Sequence, residues 1–242
     1  MNTGCPTVEQ VREARQAIAG AAIRTPLVRM NTSGTPAEIY LKLENLQPIG
    51  SFKIRGAANA MAHMTAVQLE RGVVTASAGN MAQGVAWRAR ELSIPCTVIA
   101  PDTAPQTKIM AIERLGGRVL KVSFDEWWRA FEERAYPGVE GTFIHAFDDR
   151  NVMAGNGTIA LEILEDLADV DAVVIPWGGG GLTCGLASVL KELKPKCKIF
   201  AAEVATAAPL SASWRAGSPA STSSNLPTRP TGRGWTRART SW

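Results

Sequence analysis

The distribution of apolar residues predicts a chain that alternates between strands and helices over most of its length. Between residues 73 and 202, short apolar runs alternate with segments in which apolar residues recur every three or four positions. Because the runs lack apolar–polar alternation, we expect parallel strands covered on both faces and joined by right-handed crossovers. The predicted strands are residues 73–76, 96–100, 118–122, 142–145, 172–175 and 199–202, and the predicted helices are residues 81–92, 105–115, 125–134, 155–167 and 184–193.

Further elements precede this alternating region. Thr7 and Gln10 have the spacing of a capping box, and apolar residues recur at helical intervals after them, which predicts an N-terminal helix. Residues 39–43 alternate like a strand, and residues 54–64 form another predicted helix. Together with the strand–helix units that follow, the pattern predicts two α/β domains with a cleft between them.

Composition places the chain among globular proteins and explains its basic charge. Its 242 residues are 45% apolar and 20% charged, which is enough to build a buried core. The last 30 residues, 213–242, contain five arginines and no acidic residue, so the net charge of +4 comes from them and the rest is close to neutral. We therefore expect no nucleic-acid partner. Since residues 213–242 also lack apolar periodicity, they are predicted to be a disordered basic tail.

The sequence carries no pattern for export, for membrane insertion or for a cysteine metal site. The N-terminus lacks the apolar segment of a signal peptide, and no apolar run approaches the ~20 residues of a membrane span. The four cysteines lie far apart in sequence and form no CxxC pair. We expect a cytoplasmic protein with reduced thiols and no membrane partner.

A lysine follows a glycine turn at the start of a predicted helix. Gly50 opens the segment Gly-Ser-Phe-Lys-Ile-Arg-Gly-Ala, in which Lys53 directly precedes the helix 54–64. The positive potential of a helix N-terminus lowers the pKa of a nearby lysine, and a lysine that bonds to a carbonyl must be partly deprotonated. Taken alone, the segment is more typical of a solvated turn lysine.

Small residues connect the predicted strand 73–76 to the helix after it. The segment Ser-Ala-Gly-Asn-Met begins at Ser77, and its backbone N–H groups could approach a carboxylate or phosphate closely. Asn80 could hydrogen-bond a ring hydroxyl. An ordinary N-cap turn explains this segment equally well.

Four consecutive glycines connect the predicted strand 172–175 to the helix 184–193. Such a run is conformationally costly, and it is favoured where several N–H groups must converge on a phosphate. The run lacks the Lys-Ser/Thr ending of a P-loop and the spacing of a dinucleotide-binding loop, so a nucleotide is the weaker interpretation.

The three motifs together resemble a known enzyme family. Ser-Phe-Lys-Ile-Arg-Gly-Ala, Ser-Ala-Gly-Asn-x-x-Gln-Gly and Gly-Gly-Gly-Gly-Leu are similar, in order and spacing, to segments of the threonine dehydratase and serine racemase family. Members are fold type II pyridoxal-phosphate enzymes, relatives of the tryptophan synthase β chain. The resemblance, over about residues 7 to 210, implies an α/β fold with two parallel-sheet domains and pyridoxal 5'-phosphate in the cleft. Residues 1–71 and 149–212 would form the larger domain, and residues 72–148 the smaller one.

The resemblance also implies roles for individual residues. Lys53 matches the lysine that holds the cofactor covalently, Phe52 would pack beside its ring, and Asn80 would bond its 3'-hydroxyl. The substrate would be a small hydroxy-amino acid such as L-threonine or L-serine, converted to a 2-oxo acid and ammonia. The implied phosphate-binding residues are Gly178, Gly179, Gly180, Gly181 and Leu182, and the implied substrate-binding residues are Ser77, Ala78, Gly79, Asn80 and Met81.

Two positions bear on the choice of reaction within this family. Family racemases carry a serine that protonates the opposite substrate face where this chain has Ala78, and a missing acid or base typically costs ~10²–10⁴ in rate. Elimination is therefore favoured, while serine racemisation and hydroxyaspartate dehydration stay as alternatives. Met81 occupies a position where family members often have histidine, so the identity of the substrate stays open.

Other candidate ligands and acid–base groups are expected to be structural. Glu203 matches the first acidic ligand of a cation site in some members, but Pro209 occupies the second acidic position, so we expect no metal site. His63 and His145 have no spaced partner and are expected to have no chemical role.

The resemblance ends at about Ser213, although family members continue with further strands and are expected to be homodimers. We interpret the chain as a truncated or frameshifted member that lacks the C-terminal part of the larger domain. A non-catalytic, cofactor-binding remnant is therefore the second hypothesis.

Overall fold

The computed structural model describes residues 4–218 and has an α/β architecture with three sheets. A short 3₁₀ helix covers Glu44–Leu46. The strands are Leu27–Arg29 (β1), Tyr40–Lys42 (β2), Val73–Ala76 (β3), Cys96–Pro101 (β4), Arg118–Val122 (β5), Thr142–Phe143 (β6), Ala172–Pro176 (β7) and Lys198–Ala202 (β8). The helices are Val8–Ala17 (α1), Lys53–Ala62 (α2), Ala66–Glu70 (α3), Asn80–Glu91 (α4), Gln106–Arg114 (α5), Phe124–Glu133 (α6), Arg150–Asp166 (α7), Gly181–Leu193 (α8) and Pro209–Ala216 (α9).

A four-stranded parallel sheet forms the first part of the core. Its strand order is β5-β4-β3-β6, and Val73 lies between Cys96 on one side and Thr142 on the other. All four residues of β3, including Thr75, are buried, as the sequence pattern predicted. The largest core cluster joins this sheet to α2, α4 and α6.

The second part of the core lies around the parallel pair β7 and β8. Helices α1, α7 and α8 pack together beside this pair, and glycines let them approach closely. A Cβ atom on Gly157 would lie 2.7 Å from the Gly185 oxygen, and a Cβ on Gly155 would lie 2.3 Å from the Arg55 oxygen. No larger side chain fits either helix crossing without a shift of the backbone.

The N-terminal hairpin differs from the all-parallel arrangement that the pattern predicted. Strands β1 and β2 pair antiparallel, with Val28 opposite Leu41. β1 is three residues long and was not predicted, because so short a segment shows no clear periodicity.

Several helix boundaries also differ from the predicted ones. α7 begins at Arg150 rather than 155, because the Asp149 carboxylate caps the N–H groups of Asn151 and Val152. α8 begins within the glycine run, and α3 was not predicted because it has only five residues.

The stretch predicted to be a disordered tail begins inside a helix. α9 runs to Ala216, so residues 213–216 are helical, with Pro209 at its first position. The remainder of that stretch, beyond Ser218, lies outside the described residues.

Apolar side chains remain exposed on one face of the β7–β8 pair. Val174 and Phe200 are register neighbours, and they are 67% and 52% exposed. Parallel strands are normally covered on both faces, so this face is unusually apolar for a protein surface. Among residues 4–218, every helix is too short or too polar to cross a membrane.

Candidate functional site

The Lys53 amine lies at the centre of the site. Lys53 is the first residue of α2, and its backbone N–H donates to the Ser51 hydroxyl at 3.3 Å. Its Nζ donates to the Ala146 oxygen at 2.5 Å and lies 5.4 Å from the centre of the Phe52 ring. Burial of the amine lowers the pKa of Lys53 to about 8, because desolvation disfavours the charged form. The neutral amine is thus accessible near neutral pH.

A buried histidine organises the turn that meets this amine. His145 Nδ1 accepts the backbone N–H of Asp148 at 2.8 Å and that of Phe147 at 3.3 Å. Burial lowers the pKa of His145 to about 3, and the positive charges of Arg134 and Lys53 act in the same direction. The ring is therefore neutral, and its unprotonated nitrogen fixes the position of the Ala146 carbonyl.

The glycine run packs against the same turn. A Cβ on Gly179 would lie 2.1 Å from the Phe147 ring, and a Cβ on Gly181 would lie 2.7 Å from the Phe147 oxygen. Gly180 has a φ of +87°, which only glycine adopts without strain. Since Phe147 directly follows Ala146, the structure brings the lysine amine and the glycine run to one short turn.

The glycine run presents a series of free donors. In the described part of the chain, no acceptor pairs with the N–H groups of residues 178–183. A Cβ on Gly178 would meet no atom within 4 Å beyond its chain neighbours, so the outer side of the run is open. Unpaired N–H groups at a left-handed turn and a helix N-terminus form an anion-binding nest. This cradle fits the phosphate of pyridoxal phosphate.

The turn that begins at Ser77 leads into α4, which packs against the start of α2. Ser77 is buried, and its hydroxyl accepts the Gly79 N–H at 3.1 Å. One turn into α4, a Cβ on Gly84 would lie 3.4 Å from the Ile54 nitrogen and from the Lys53 carbonyl carbon. This close packing holds the start of α4 beside the start of α2.

The remaining predicted residues in this turn differ in exposure. Asn80 is exposed at the start of α4, and Ala78 is partly exposed. Met81 is 2% exposed and belongs to the main core cluster. Phe52 and Leu182 are partly buried against the second core cluster.

The Glu203 carboxylate contacts the start of α9. It accepts the N–H of Leu210 at 2.7 Å and that of Ser211 at 3.0 Å. It therefore stabilises the N-terminus of α9.

Sequence reasoning missed His145 and its neighbours Ala146 and Phe147. We expected His145 to be structural because no partner is spaced near it in sequence. Its contacts arise because the end of β6 meets α2 and the glycine run in space. The available signal in the sequence was a histidine at the end of the predicted strand 142–145, three residues before the pair Asp148-Asp149.

The chain matches a family model described as "Pyridoxal-phosphate dependent enzyme" over residues 18–238. L-threonine ammonia-lyase of Thermotoga maritima is 43% identical over 215 residues, covering 87% of this chain and 53% of that protein. The catabolic L-threonine dehydratase of Staphylococcus aureus is 44% identical over 195 residues, covering 78% of this chain and 56% of that protein. The chain thus spans about half the length of these relatives.

Solved structures show the same fold. Maize serine racemase superposes with a TM-score of 0.85 at 31% identity, covering 90% of this chain and 68% of that one. The processed form of threonine deaminase isoform 2 from Solanum lycopersicum gives a TM-score of 0.78 at 35% identity, covering 88% and 62%.

Proposed function

Because the chain belongs to the family of pyridoxal-phosphate dependent enzymes, we propose that it forms the catalytic part of an ammonia-lyase acting on L-threonine or L-serine. The observation that carries this proposal is the contact of the Lys53 amine with the Ala146 carbonyl. The next residue, Phe147, has the ring that packs against the glycine run. The products would be a 2-oxo acid and ammonia.

Pyridoxal phosphate, when bound, supplies a conjugated ring that delocalises the electrons left when the α-proton departs. Lys53 would hold it covalently, and residues 178–182 would hold its phosphate through their free N–H groups. Phe52 would pack beside its ring, and Asn80 would bond its 3'-hydroxyl.

The lowered pKa of Lys53 suits a group that exchanges protons near neutral pH. Burial alone lowers it to about 8, so Nζ is partly neutral and can take the substrate's α-proton. The buried Ala146 carbonyl accepts a hydrogen bond from Nζ and orients it. Lys53 thus acts first as a nucleophile and then as a base.

The turn at residues 77–81 would bind the substrate carboxylate. The N–H groups of residues 80–82 have no acceptor in the part of the chain described, and they point from the N-terminus of α4. Ser77 and Gly79 shape this turn, with Ala78 and Met81 beside them.

Elimination is favoured over racemisation at this site. Ala78 has no proton to deliver to the substrate face opposite Lys53, whereas racemisation needs an acid there. Serine racemisation and dehydration of a hydroxyaspartate are the alternatives within the family. A non-catalytic cofactor-binding protein is the alternative of another class.

We propose the remaining features on the same basis. Residues 72–148 would form the smaller domain, and residues 1–71 with 149–212 the larger. The second core cluster lies within the proposed larger domain, whereas the largest cluster joins residues 73–146 to α2 and α7. Assembly as a homodimer and a cytoplasmic location are further proposals.

Substitution of Lys53 tests the function directly. We expect Lys53→Ala to abolish the visible absorbance that pyridoxal phosphate acquires on bonding to a protein amine, and with it the formation of 2-oxobutanoate from threonine. Lys108→Ala, which removes an exposed lysine of α5, is the matched control and should change neither. Absorbance without 2-oxo acid from threonine, serine or hydroxyaspartate would favour the non-catalytic alternative. Unchanged absorbance in Lys53→Ala would refute the assignment of the lysine.

A further inference from the structure

Two buried side-chain donors lack a partner at the ends of the glycine run. They are the indole Nε1 of Trp177, the residue before the run, and the hydroxyl of Thr183, the residue after Leu182. Among residues 4–218, neither atom has a hydrogen-bond partner. Buried polar atoms are nearly always paired in folded proteins, so two orphans that flank one anion-binding turn indicate a missing ligand.

Trp177 packs back over the run that follows it. Its backbone N–H donates to the Ala202 oxygen at 2.8 Å, which fixes the residue beyond the end of β7. A Cβ on Gly180 would lie 3.0 Å from the indole atoms Cζ2 and Cη2 and 3.7 Å from Cε2. Because Nε1 is bonded to Cε2, the indole N–H lies near the ring edge that contacts Gly180.

Thr183 approaches the same run from the other end. It is the third residue of α8 and is 2% exposed. The Cα–Cβ bond of a helical residue tilts towards the N-terminus of its helix, so the Thr183 side chain is directed towards the glycines that precede it. Its backbone N–H is also free in the described part of the chain.

The groups at this turn suit an anion better than a water molecule. Indole and backbone N–H groups can only donate, whereas a bound water also needs acceptors for its own protons. A phosphate offers several acceptor oxygens, and hydrogen bonds to a charged acceptor are about twice as strong as neutral ones. The Thr183 hydroxyl can rotate to donate as well.

We propose that the Trp177 indole N–H and the Thr183 hydroxyl donate to the phosphate of pyridoxal phosphate at the two ends of the run. Both are binding residues additional to the glycines, and the inference rests on the proposed function, in which residues 178–182 hold that phosphate. The phosphate gives each buried donor its acceptor. An aldehyde without a phosphate leaves both donors unpaired, so this turn selects the phosphorylated form.

Titration of the full chain with pyridoxal phosphate and with pyridoxal, which lacks the phosphate, tests the two donors. The visible absorbance of the aldehyde bonded to the protein amine measures each affinity. Trp177→Phe and Thr183→Val remove a donor with little change of shape. We expect each to weaken pyridoxal phosphate binding about ten-fold and to leave pyridoxal binding unchanged.

The chain offers a matched control for each variant. Trp214→Phe removes an indole on α9 that is 74% exposed, and Thr107→Val removes an exposed hydroxyl on α5. Both controls should bind the two aldehydes as the wild type does.

The indole N–H can also be observed directly by NMR in a chain with isotope-labelled tryptophan. The Trp177 resonance is the one missing from the spectrum of Trp177→Phe. We expect pyridoxal phosphate to move this proton downfield, because a hydrogen bond to a charged oxygen deshields it. Pyridoxal should leave the resonance nearly in place.

Three results would overturn the proposal. They are variants that bind pyridoxal phosphate as tightly as the wild type, variants that lose affinity equally for both aldehydes, and an indole proton that responds equally to both. In each case the wild type still binds the cofactor, so the proposed function stands. A wild type that acquires no absorbance with either aldehyde would refute the proposed function and this inference together.

Discussion

The proposed chemistry would depend on two nitrogen bases, Lys53 and His145, in opposite roles. Lys53 Nζ donates to the Ala146 oxygen, while His145 Nδ1 accepts from the two backbone N–H groups that follow that residue. Burial disfavours the charged form of both side chains, so each has a lowered pKa. Because His145 stays neutral, it adds no positive charge beside the amine that must lose its proton.

The protonation state of His145 should govern how the free energy of unfolding changes in acid. Its pKa is about 3 in the fold against 6.5 for the free side chain, so the unfolded chain binds the proton more tightly. The contribution of neutral His145 to the free energy of unfolding is fully present above pH 6.5. It is lost as the pH falls towards 3, by up to about 5 kcal/mol over the full range. The physical reason is that burial disfavours the charged imidazolium, and the positive charges of Arg134 and Lys53 disfavour it further.

Urea unfolding of the wild type and of His145→Asn, measured from pH 7 to pH 4, checks this expectation. The variant has no titrating group at this position, so its free energy of unfolding should fall less steeply with decreasing pH. Parallel curves for the two proteins would show that His145 does not resist protonation in the fold.

At the scale of elements, the conformation of the glycine run depends on the Phe147 ring that packs against it. The Phe147 ring leaves no room for a side chain on Gly179, whereas Gly178 faces open space. The run therefore combines a rigid inner side with an open outer side, which is the arrangement that an anion-binding turn requires.

Two adjacent alanine substitutions distinguish these sides. Gly179→Ala should displace the turn and weaken pyridoxal phosphate binding by at least about ten-fold, because a Cβ only 2.1 Å from the ring forces the backbone to move. Gly178→Ala should bind the cofactor more tightly than Gly179→Ala does. Titration of cofactor absorbance measures both, and equal affinities for the two variants would contradict this account of the turn.

The sequence predicted the elements of this site better than their contacts. Lys53, the turn at Ser77 and the glycine run could each be singled out in the sequence because a strand or helix boundary and small residues are local signals. The start of α7 at Arg150, which Asp149 caps, and the antiparallel pairing of β1 with β2 were not predicted. Both depend on contacts that leave no periodic apolar pattern in the sequence. The role of His145 arises from tertiary packing alone, and no local pattern encodes it.

Across the whole molecule, a buried charge cluster joins the N-terminal segment to α7. Arg55 is 1% exposed and bonds Glu162 at 2.6 Å and Glu44 at 2.8 Å, while Lys42 bonds Glu162 at 2.6 Å. Arg55 lies in the same helical turn of α2 as Lys53, so the same cluster fixes the helix that carries the amine.

Substitution of Arg55 should therefore lower the free energy of unfolding strongly. Arg55→Met leaves the buried Glu162 and the partly buried Glu44 with too few partners, and we expect it to lower the free energy of unfolding by about 3–5 kcal/mol. Arg12→Met breaks the exposed pair with Glu9 and should cost at most about 1 kcal/mol. Chemical denaturation of both variants measures the difference, and equal small losses would mean that the buried cluster does not stabilise the fold.

The exposed face of the β7–β8 pair should bind a hydrophobic dye, because the adjacent apolar side chains of Val174 and Phe200 lie in solvent. A contiguous apolar surface binds hydrophobic dyes, whereas a single exposed apolar side chain does not. The double variant Val174→Thr/Phe200→Thr keeps residues compatible with a strand and should reduce the fluorescence of bound anilinonaphthalene sulfonate several-fold. Val67→Thr removes an isolated side chain that is 58% exposed on α3 and should leave the fluorescence unchanged. Equal fluorescence from the double variant and the wild type would place the apolar surface elsewhere on the molecule, and the parallel pair would then need no cover on this face.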